Sequence, residues 1–289
     1  MEKKEYSILA LISPTKEGET VLKEALYLQS TLEVKLVILN VIQEPTFFER
    51  NFQPQEIEAT IEKAKKELTA FVENVVGKKL ADNIVVSVRA GNPVDVLLEK
   101  SKTDSLEFLL VDKSNGHYPG ALGKDEVNEL VSLSKCPVLT VNKDFGVPDI
   151  KNIAIPIDIN QSTKKRLLWA TFLAKKHKAK ITILSALKAD INVKKSLALK
   201  NARKIRHLLW EHDIKCDIKI LKVYDRESHQ VVLKYIKEEK PELVIIRTHQ
   251  ESIFSNTSIG RFVSEIVHGS KRPVFTVNYT PNPVDSLFL

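Results

Sequence analysis

The segment CPVLTVN (136–142) returns as RPVFTVN (272–278). It does not return alone. FLLVDKSN (108–115) stands in the place of LVIIRTHQ (243–250), VKLVILNVI (34–42) in that of AKITILSAL (179–187), and ILALIS (8–13) in that of IAIPID (153–158). The four pairs keep one order along the chain at a spacing of roughly 140 residues, far beyond the period of a solenoid. The sequence is therefore one unit written twice, and any fold assigned to one half has to serve the other. A length of 289 residues is enough for two such domains.

Strand and helix signals alternate within each copy. In the first, Tyr6–Ile12 and Val34–Val41 read as buried strands, with Val21, Ala25, Leu28 and Leu32 on one helical face between them. Ile57, Ile61, Ala64, Leu68, Phe71 and Val75 keep a helical period and predict a long helix, which Gly77 is placed to end through a left-handed cap. Ile84–Val88 alternates with period two, and Asn92-Pro93 reads as an N-cap followed by proline at the first helical position. Phe108–Val111, Val127–Leu133 and Val138–Val141 follow as strand, helix and strand. The second copy predicts strands at Ile153–Ile157, Ile181–Ser185, Asp217–Val223, Leu243–Ile246 and Val274–Val277, and helices at Ser162–His177, Val193–His212, Ser228–Glu239 and Ile259–Gly269. Five strands alternating with four helices imply an α/β fold, a parallel sheet covered on both faces. Ligands in such sheets sit beyond the carboxyl ends of the strands, where the strand order reverses. Gly146, Pro148 and Asp149 mark a linker, which gives domains 1–145 and 150–289.

Charge divides unevenly between the halves. Residues 1–150 hold 18 Lys and Arg against 24 Asp and Glu, and residues 151–289 hold 26 against 13. The basic half suits an anionic ligand, a nucleic acid or the acidic half itself, or is simply a solvated helix surface. No nucleic-acid recognition motif accompanies it, and no row of aromatic residues runs among the basic ones, so nucleic acid is the least favoured of these partners. No apolar run is long enough to span a bilayer, and no signal-peptide pattern opens the chain. Cys136 and Cys216 supply neither a disulfide framework nor a metal quartet, which suits a reduced, cytoplasmic setting.

The strand ending Ile-Pro-Ile-Asp, the helix after it, and the later strand leading into Arg247-Thr248-His249-Gln250 resemble the universal stress protein family. The whole chain resembles the tandem, two-domain form of that family. The resemblance implies two adenine nucleotide alpha hydrolase-like sandwiches, each a five-stranded parallel sheet of order 3-2-1-4-5. It also implies a choice of branch. One branch binds ATP through G-x2-G-x9-G-[ST] after the fourth strand, with an aspartate at the end of the first strand reading the nucleoside; the other branch does not bind ATP.

The glycines of that motif have a physical cause. Phosphate lies against consecutive backbone N–H groups at a helix N-terminus, and a Cβ in the loop blocks close approach. Laid on the second half, the motif keeps its third glycine as Gly260 but puts Arg247 and Gln250 at the first two and Arg261 at the hydroxyl position. Thr248 and His249 keep the middle of the loop, and Asp158 stands at the nucleoside position, with capping of the next helix as its other reading. Ala186, from the second strand of that half, completes the candidate set. The first half departs further. Ser13 replaces the aspartate, Asp112 and Asn115 replace two glycines, and the spaced pair Gly120 and Gly123 falls too late, with Leu133 where its frame wants the third glycine.

Three readings of the second-half loop stand side by side. Arg247 and Arg261 fill the phosphate space and pair with acids, from the other half among them. Alternatively, the two guanidinium groups replace the lost N–H donors and hold a nucleotide or another anion. In the third, the basic surface contacts RNA. His177, His207, His212 and His229 lie scattered on predicted helices, and no nucleophile with an orienting partner is evident, so no enzymatic activity and no metal are expected. The expectation is a non-enzymatic stress-response or interaction module with a degenerate nucleotide site and no obligate cofactor, ATP being the only one with any footing. Its partners are expected to be the other domain of the same chain, through the last strand of each half, then a second copy or another protein, with no membrane.

Overall fold

The computed structural model describes residues 6–43, 54–113, 121–142, 149–157, 167–248 and 259–277. The chain divides into two compact units, Met1–Val147 and Pro148–Leu289. Unit 1 runs β1 (Ser7–Leu11), α1 (Lys16–Leu32), β2 (Lys35–Ile42), α2 (Pro54–Val76), β3 (Ile84–Ala90), α3 (Pro93–Lys100), β4 (Leu106–Asp112), α4 (Lys124–Leu133) and β5 (Val138–Val141). Its strands are all parallel, in the order β3-β2-β1-β4-β5. Unit 2 repeats this with β6 (Asn152–Pro156), α5 (Leu167–His177), β7 (Lys180–Lys188), α6 (Leu197–Glu211), β8 (Cys216–Val223), α7 (Ser228–Glu239), β9 (Leu243–Arg247), α8 (Arg261–Gly269) and β10 (Val274–Val277). Its order, β8-β7-β6-β9-β10, is the same 3-2-1-4-5 arrangement, again parallel throughout.

The central strands are mostly apolar on both faces because helices cover both, Glu107 and Asp112 of β4 being buried acids among them. All seven residues of β4 are buried, as are Ile153 to Pro156 on β6 and Leu243 to Ile246 on β9. The outer strand β8 alternates over its first residues, with Cys216 inside and Asp217 and Lys219 facing solvent.

Local chemistry sets the element ends. Asn92 caps α3 by accepting from the Val94 and Asp95 amides at 2.8 and 3.2 Å, with Pro93 behind it as expected. Gly77 takes a φ of +72° past the end of α2. The helix expected over Val193–His212 is interrupted: Val193–Lys195 forms one 3-10 turn, and Ser196 then caps α6, its hydroxyl accepting from the Leu199 amide at 3.2 Å. A serine whose oxygen satisfies a first-turn donor resets the helix start, and periodicity alone passes over it. Glu33 and Lys240 end α1 and α7 in left-handed conformations without being glycine.

The β–α connections that follow β4 and β9 differ in length. From the end of β9 to the start of α8 lie residues 248–260; from the end of β4 to the start of α4 lie residues 113–123, two fewer. Gly123 is therefore the unit 1 counterpart of Gly260, each being the residue before the helix, followed by Lys124 and Arg261 respectively. The frame laid on Asp112 and Asn115 puts its third position at Asp125, two residues past Gly123. Counting from the strand fails because the loop is shorter; the helix N-terminus is the fixed point.

Candidate functional site

Strands β6 and β9 are neighbours at the place where the strand order of unit 2 reverses. They pair at Ile153 with Leu243 and Ala154 with Val244 and then part. Beyond that point β6 leans toward β7, the Ile157 amide donating to the Leu184 carbonyl at 2.8 Å, while β9 leans toward β10, the Thr248 amide donating to the Val277 carbonyl at 3.1 Å. The divergence opens a crevice at the carboxyl ends of the strands, the place such sheets hold ligands.

A cleft of about 640 Å³ occupies this end of unit 2. Pro156 and Ile157 from β6, and Leu184, Ala186 and Leu187 from β7, form its apolar base; Val223, Val232 and Val263 add apolar walls. Lys188, Arg226, Glu227, Ser228, His229 and Arg261 bring the polar groups. Two helices begin here. Glu227 is the N-cap of α7 and Gly260 that of α8. The first amides of each helix have no partner within the helix, and both positive dipole ends meet one cleft.

The charges at the mouth are already organised. The Glu227 carboxylate places Oε1 3.0 Å from Nη1 of Arg261 and Oε2 3.3 Å from Nδ1 of His229. His229 is buried while Glu227 and Arg261 are exposed. One carboxylate thus bridges the starts of α7 and α8. On the far rim, Lys222 donates from Nζ to the carbonyls of Ala189 at 3.1 Å and Ile191 at 2.6 Å, which ties down the segment that follows β7.

Of the residues expected from the sequence, Ala186, Gly260 and Arg261 are brought together around the cleft. Arg247 ends β9 in register with Val277 and is not among the described lining residues. The Thr248 hydroxyl donates to the Val277 carbonyl at 3.2 Å, so this residue anchors the loop to β10. Asp158, His249 and Gln250 lie outside the described residues. Arg261 stands at the mouth, paired with Glu227, an acid of its own half. Sequence reasoning missed Glu227 and grouped His229 with scattered histidines. The available signal was position: both follow the end of strand β8, where an α/β sheet presents its functional loops.

Unit 1 fills the corresponding positions differently. Asp112, in the place of Arg247, is buried at the end of β4, and its neighbour Lys113 is equally buried. Burial pulls the Lys113 amine down to about 7, with the Asp112 charge acting the other way. Asn40 donates to the Ile12 carbonyl at 2.9 Å near the end of β1, and Ser13 is buried there. Asn115 lies outside the described residues.

The sequence profile of the universal stress protein family matches residues 149–278. Unit 2 belongs to the universal stress protein family. Unit 1 repeats the topology of that universal stress domain strand for strand. Likeness to solved structures extends over the whole chain. A universal stress protein from Archaeoglobus fulgidus DSM 4304 is 17% identical, with a TM-score of 0.68 over 94% of this chain and 98% of that one. A putative universal stress protein from Pseudomonas aeruginosa UCBPP-PA14 is 13% identical, with a TM-score of 0.60 over 97% and 95%. The cytoplasmic domain of a prokaryotic cation chloride cotransporter is also similar, at 12% identity and a TM-score of 0.52 over 99% and 100%. Identities this low speak for the fold, and the fold serves more than one kind of protein. No curated protein sequence matches. No described helix is long and apolar enough to cross a membrane.

Proposed function

We propose that the chain is a non-enzymatic, cytoplasmic stress-response module that acts through binding, with each half, 1–145 and 150–289, as one domain and the unit 2 cleft as its ligand-sensing part. The cleft takes a small molecule with an apolar ring and a single anionic group, of the nucleoside monophosphate class. The observation that carries this reading is the pairing of an open apolar cleft with two converging helix N-termini whose positive ends are met by one resident carboxylate, Glu227. Apolar walls suit a planar ring. The amides of α8 and the Arg261 guanidinium suit one anionic group. A triphosphate needs a run of bare backbone, and side chains at 247 and 250 interrupt it. Asp158 is the proposed reader of the nucleoside, and unit 1, with Asp112 at the corresponding strand end, is proposed to bind no nucleotide.

The test is mass spectrometry of small molecules released from the purified chain, joined to thermal-shift measurements with AMP, ADP and ATP. AMP is expected to raise Tm, ATP to raise it no further than AMP, and Arg261→Ala to remove the response. Copurifying ATP, or a larger shift with ATP than with AMP, overturns the proposed ligand class. No shift with any of the three removes the sensing role and leaves an interaction module alone.

A further inference from the structure

Helices α5 and α6 pack together on one face of the unit 2 sheet, and α7 and α8 on the other, as right-handed crossovers require. The two faces carry different charge. The α5 and α6 segments hold six Lys and Arg and one acid, Glu211; α7 and α8 hold three of each sign. The fold does not demand this. In unit 1 the helices in the corresponding places, α1 and α2, hold five Lys and eight Glu. Between Asp190 and Glu211 the sequence has no acidic residue at all.

The outer side of α6 is a row. Lys200, Arg203, Lys204, His207 and Trp210 are exposed at helical spacing, while Ala198, Ala202, Ile205 and Leu209 are buried against the sheet. At the rise of a helix the row is about 15 Å long. Among the described residues, no ion pair engages Lys200, Arg203 or Lys204; the one acid of the helix, Glu211, lies 3.5 Å from His207. At the end of the row Trp210 is 53% exposed, and the Arg206 guanidinium lies 4.6 Å from its ring centroid. The sequence showed the basic residues but not that an aromatic ring stands in line with them.

We propose that this face of unit 2 binds single-stranded nucleic acid, with Lys200, Arg203, Lys204 and Arg206 on successive phosphates and the Trp210 ring as a stacking platform for a base. A linear file of unpaired cations ending in an exposed ring is the composition of a single-strand track. An anionic membrane is the weaker match, because the apolar side of α6 is occupied by the sheet and cannot enter a bilayer. A duplex offers no unstacked base to the ring. The surface is separate from the cleft and does not depend on what the cleft binds.

Fluorescence anisotropy with a labelled 12-nucleotide RNA, on the full chain, tests this. Four phosphate contacts give a slope of log affinity against log salt near −3, about a 50-fold loss between 50 and 200 mM salt. Lys200→Gln/Arg203→Gln/Lys204→Gln is expected to weaken binding at least tenfold and to flatten the slope by about 2. Trp210→Ala is expected to weaken binding with the slope unchanged, and RNA is expected to quench a tryptophan signal that this variant lacks. Lys234→Gln/Lys237→Gln, on the opposite face, serves as the control and is expected to bind as the parent does. All these positions are exposed, and circular dichroism confirms that each variant folds. The proposal is overturned if the triple variant binds as the parent does, if duplex binds as well as single strand, or if phosphatidylserine-containing vesicles are bound and the RNA is not.

Discussion

Glu227 and Arg261 meet across the mouth of the unit 2 cleft, Oε1 and Nη1 3.0 Å apart, each at the start of a different helix. Both side chains are at least half exposed, and a pair in that setting contributes about 0–1 kcal/mol. Its consequence lies in electrostatics: the cation best placed for an incoming anion already faces a carboxylate. Glu227→Gln is therefore expected to change stability by less than about 1 kcal/mol and to tighten AMP binding severalfold, read by isothermal titration calorimetry. Arg261→Ala is expected to weaken AMP in the same assay. Equal affinities in the parent and the Gln variant would show that the anion does not approach this guanidinium.

Two glycines of unit 1 separate two kinds of constraint. A Cβ on Gly18 would lie 2.0 Å from the Ser13 carbonyl oxygen, a backbone atom that cannot swing away, whereas one on Gly77 would meet nothing within 4 Å but would have to hold a φ of +72°. Gly18→Ala is expected to destabilise by about 3 kcal/mol through overpacking of the α1 start, and Gly77→Ala by about 1 kcal/mol through its dihedral alone. Urea unfolding followed by circular dichroism orders them. A Gly77 variant costing more than the Gly18 variant contradicts the packing assigned to Ser13.

Lys222 donates to the carbonyls of Ala189 and Ile191 at 3.1 and 2.6 Å, and so fixes the segment on which Ile191 reaches the cleft rim. Lys222→Met keeps the aliphatic stem and removes the charged donors. It is expected to cost about 1–2 kcal/mol and to increase amide hydrogen exchange around residues 189–192 while leaving β6 and β9 protected. Unchanged exchange in that segment would mean that the three-residue clamp does not hold the rim.

The repeat and the periodicities gave the α/β class and nearly every element, because the covered parallel strands must be apolar on both faces and the helices on one. A boundary failed where one polar side chain decided it, as Ser196 does before α6; the helix ends expected after Leu32 and Glu239 are those found, each closed by a left-handed residue, Glu33 and Lys240. The site was half legible. Gly260 could be placed by counting because it starts a helix, but Glu227 and His229 could not, since their importance comes from α7 and α8 beginning at the same cleft, a fact of three dimensions. Arg247 and Thr248 matched a motif by spacing, yet the hydroxyl of Thr248 faces Val277 and Arg247 is absent from the described lining residues.

Glu24 points the last prediction toward pH. It lies on α1 among Val21, Leu22, Ala25 and Leu28, is 4% exposed, and its Oε2 has no hydrogen-bond partner. Burial pushes its carboxyl up to about 7, because the charged form loses its water without gaining a partner. A folded pKa above the unfolded one means that the native state holds the proton more tightly, so stability is greatest below the unfolded value near 4.5 and falls as pH rises toward 7. The fall from this group amounts to about 3 kcal/mol, complete above neutrality. Glu24→Gln removes the charge at nearly constant volume but leaves an amide in the same apolar site. The variant is therefore expected to be more stable than the parent by about 1–2 kcal/mol at pH 8, and to lose most of the parent's slope between pH 5 and 7. Urea midpoints across that range measure both. A parent and variant with parallel pH profiles would place the Glu24 carboxylate in contact with water or a cation, against the burial found for it.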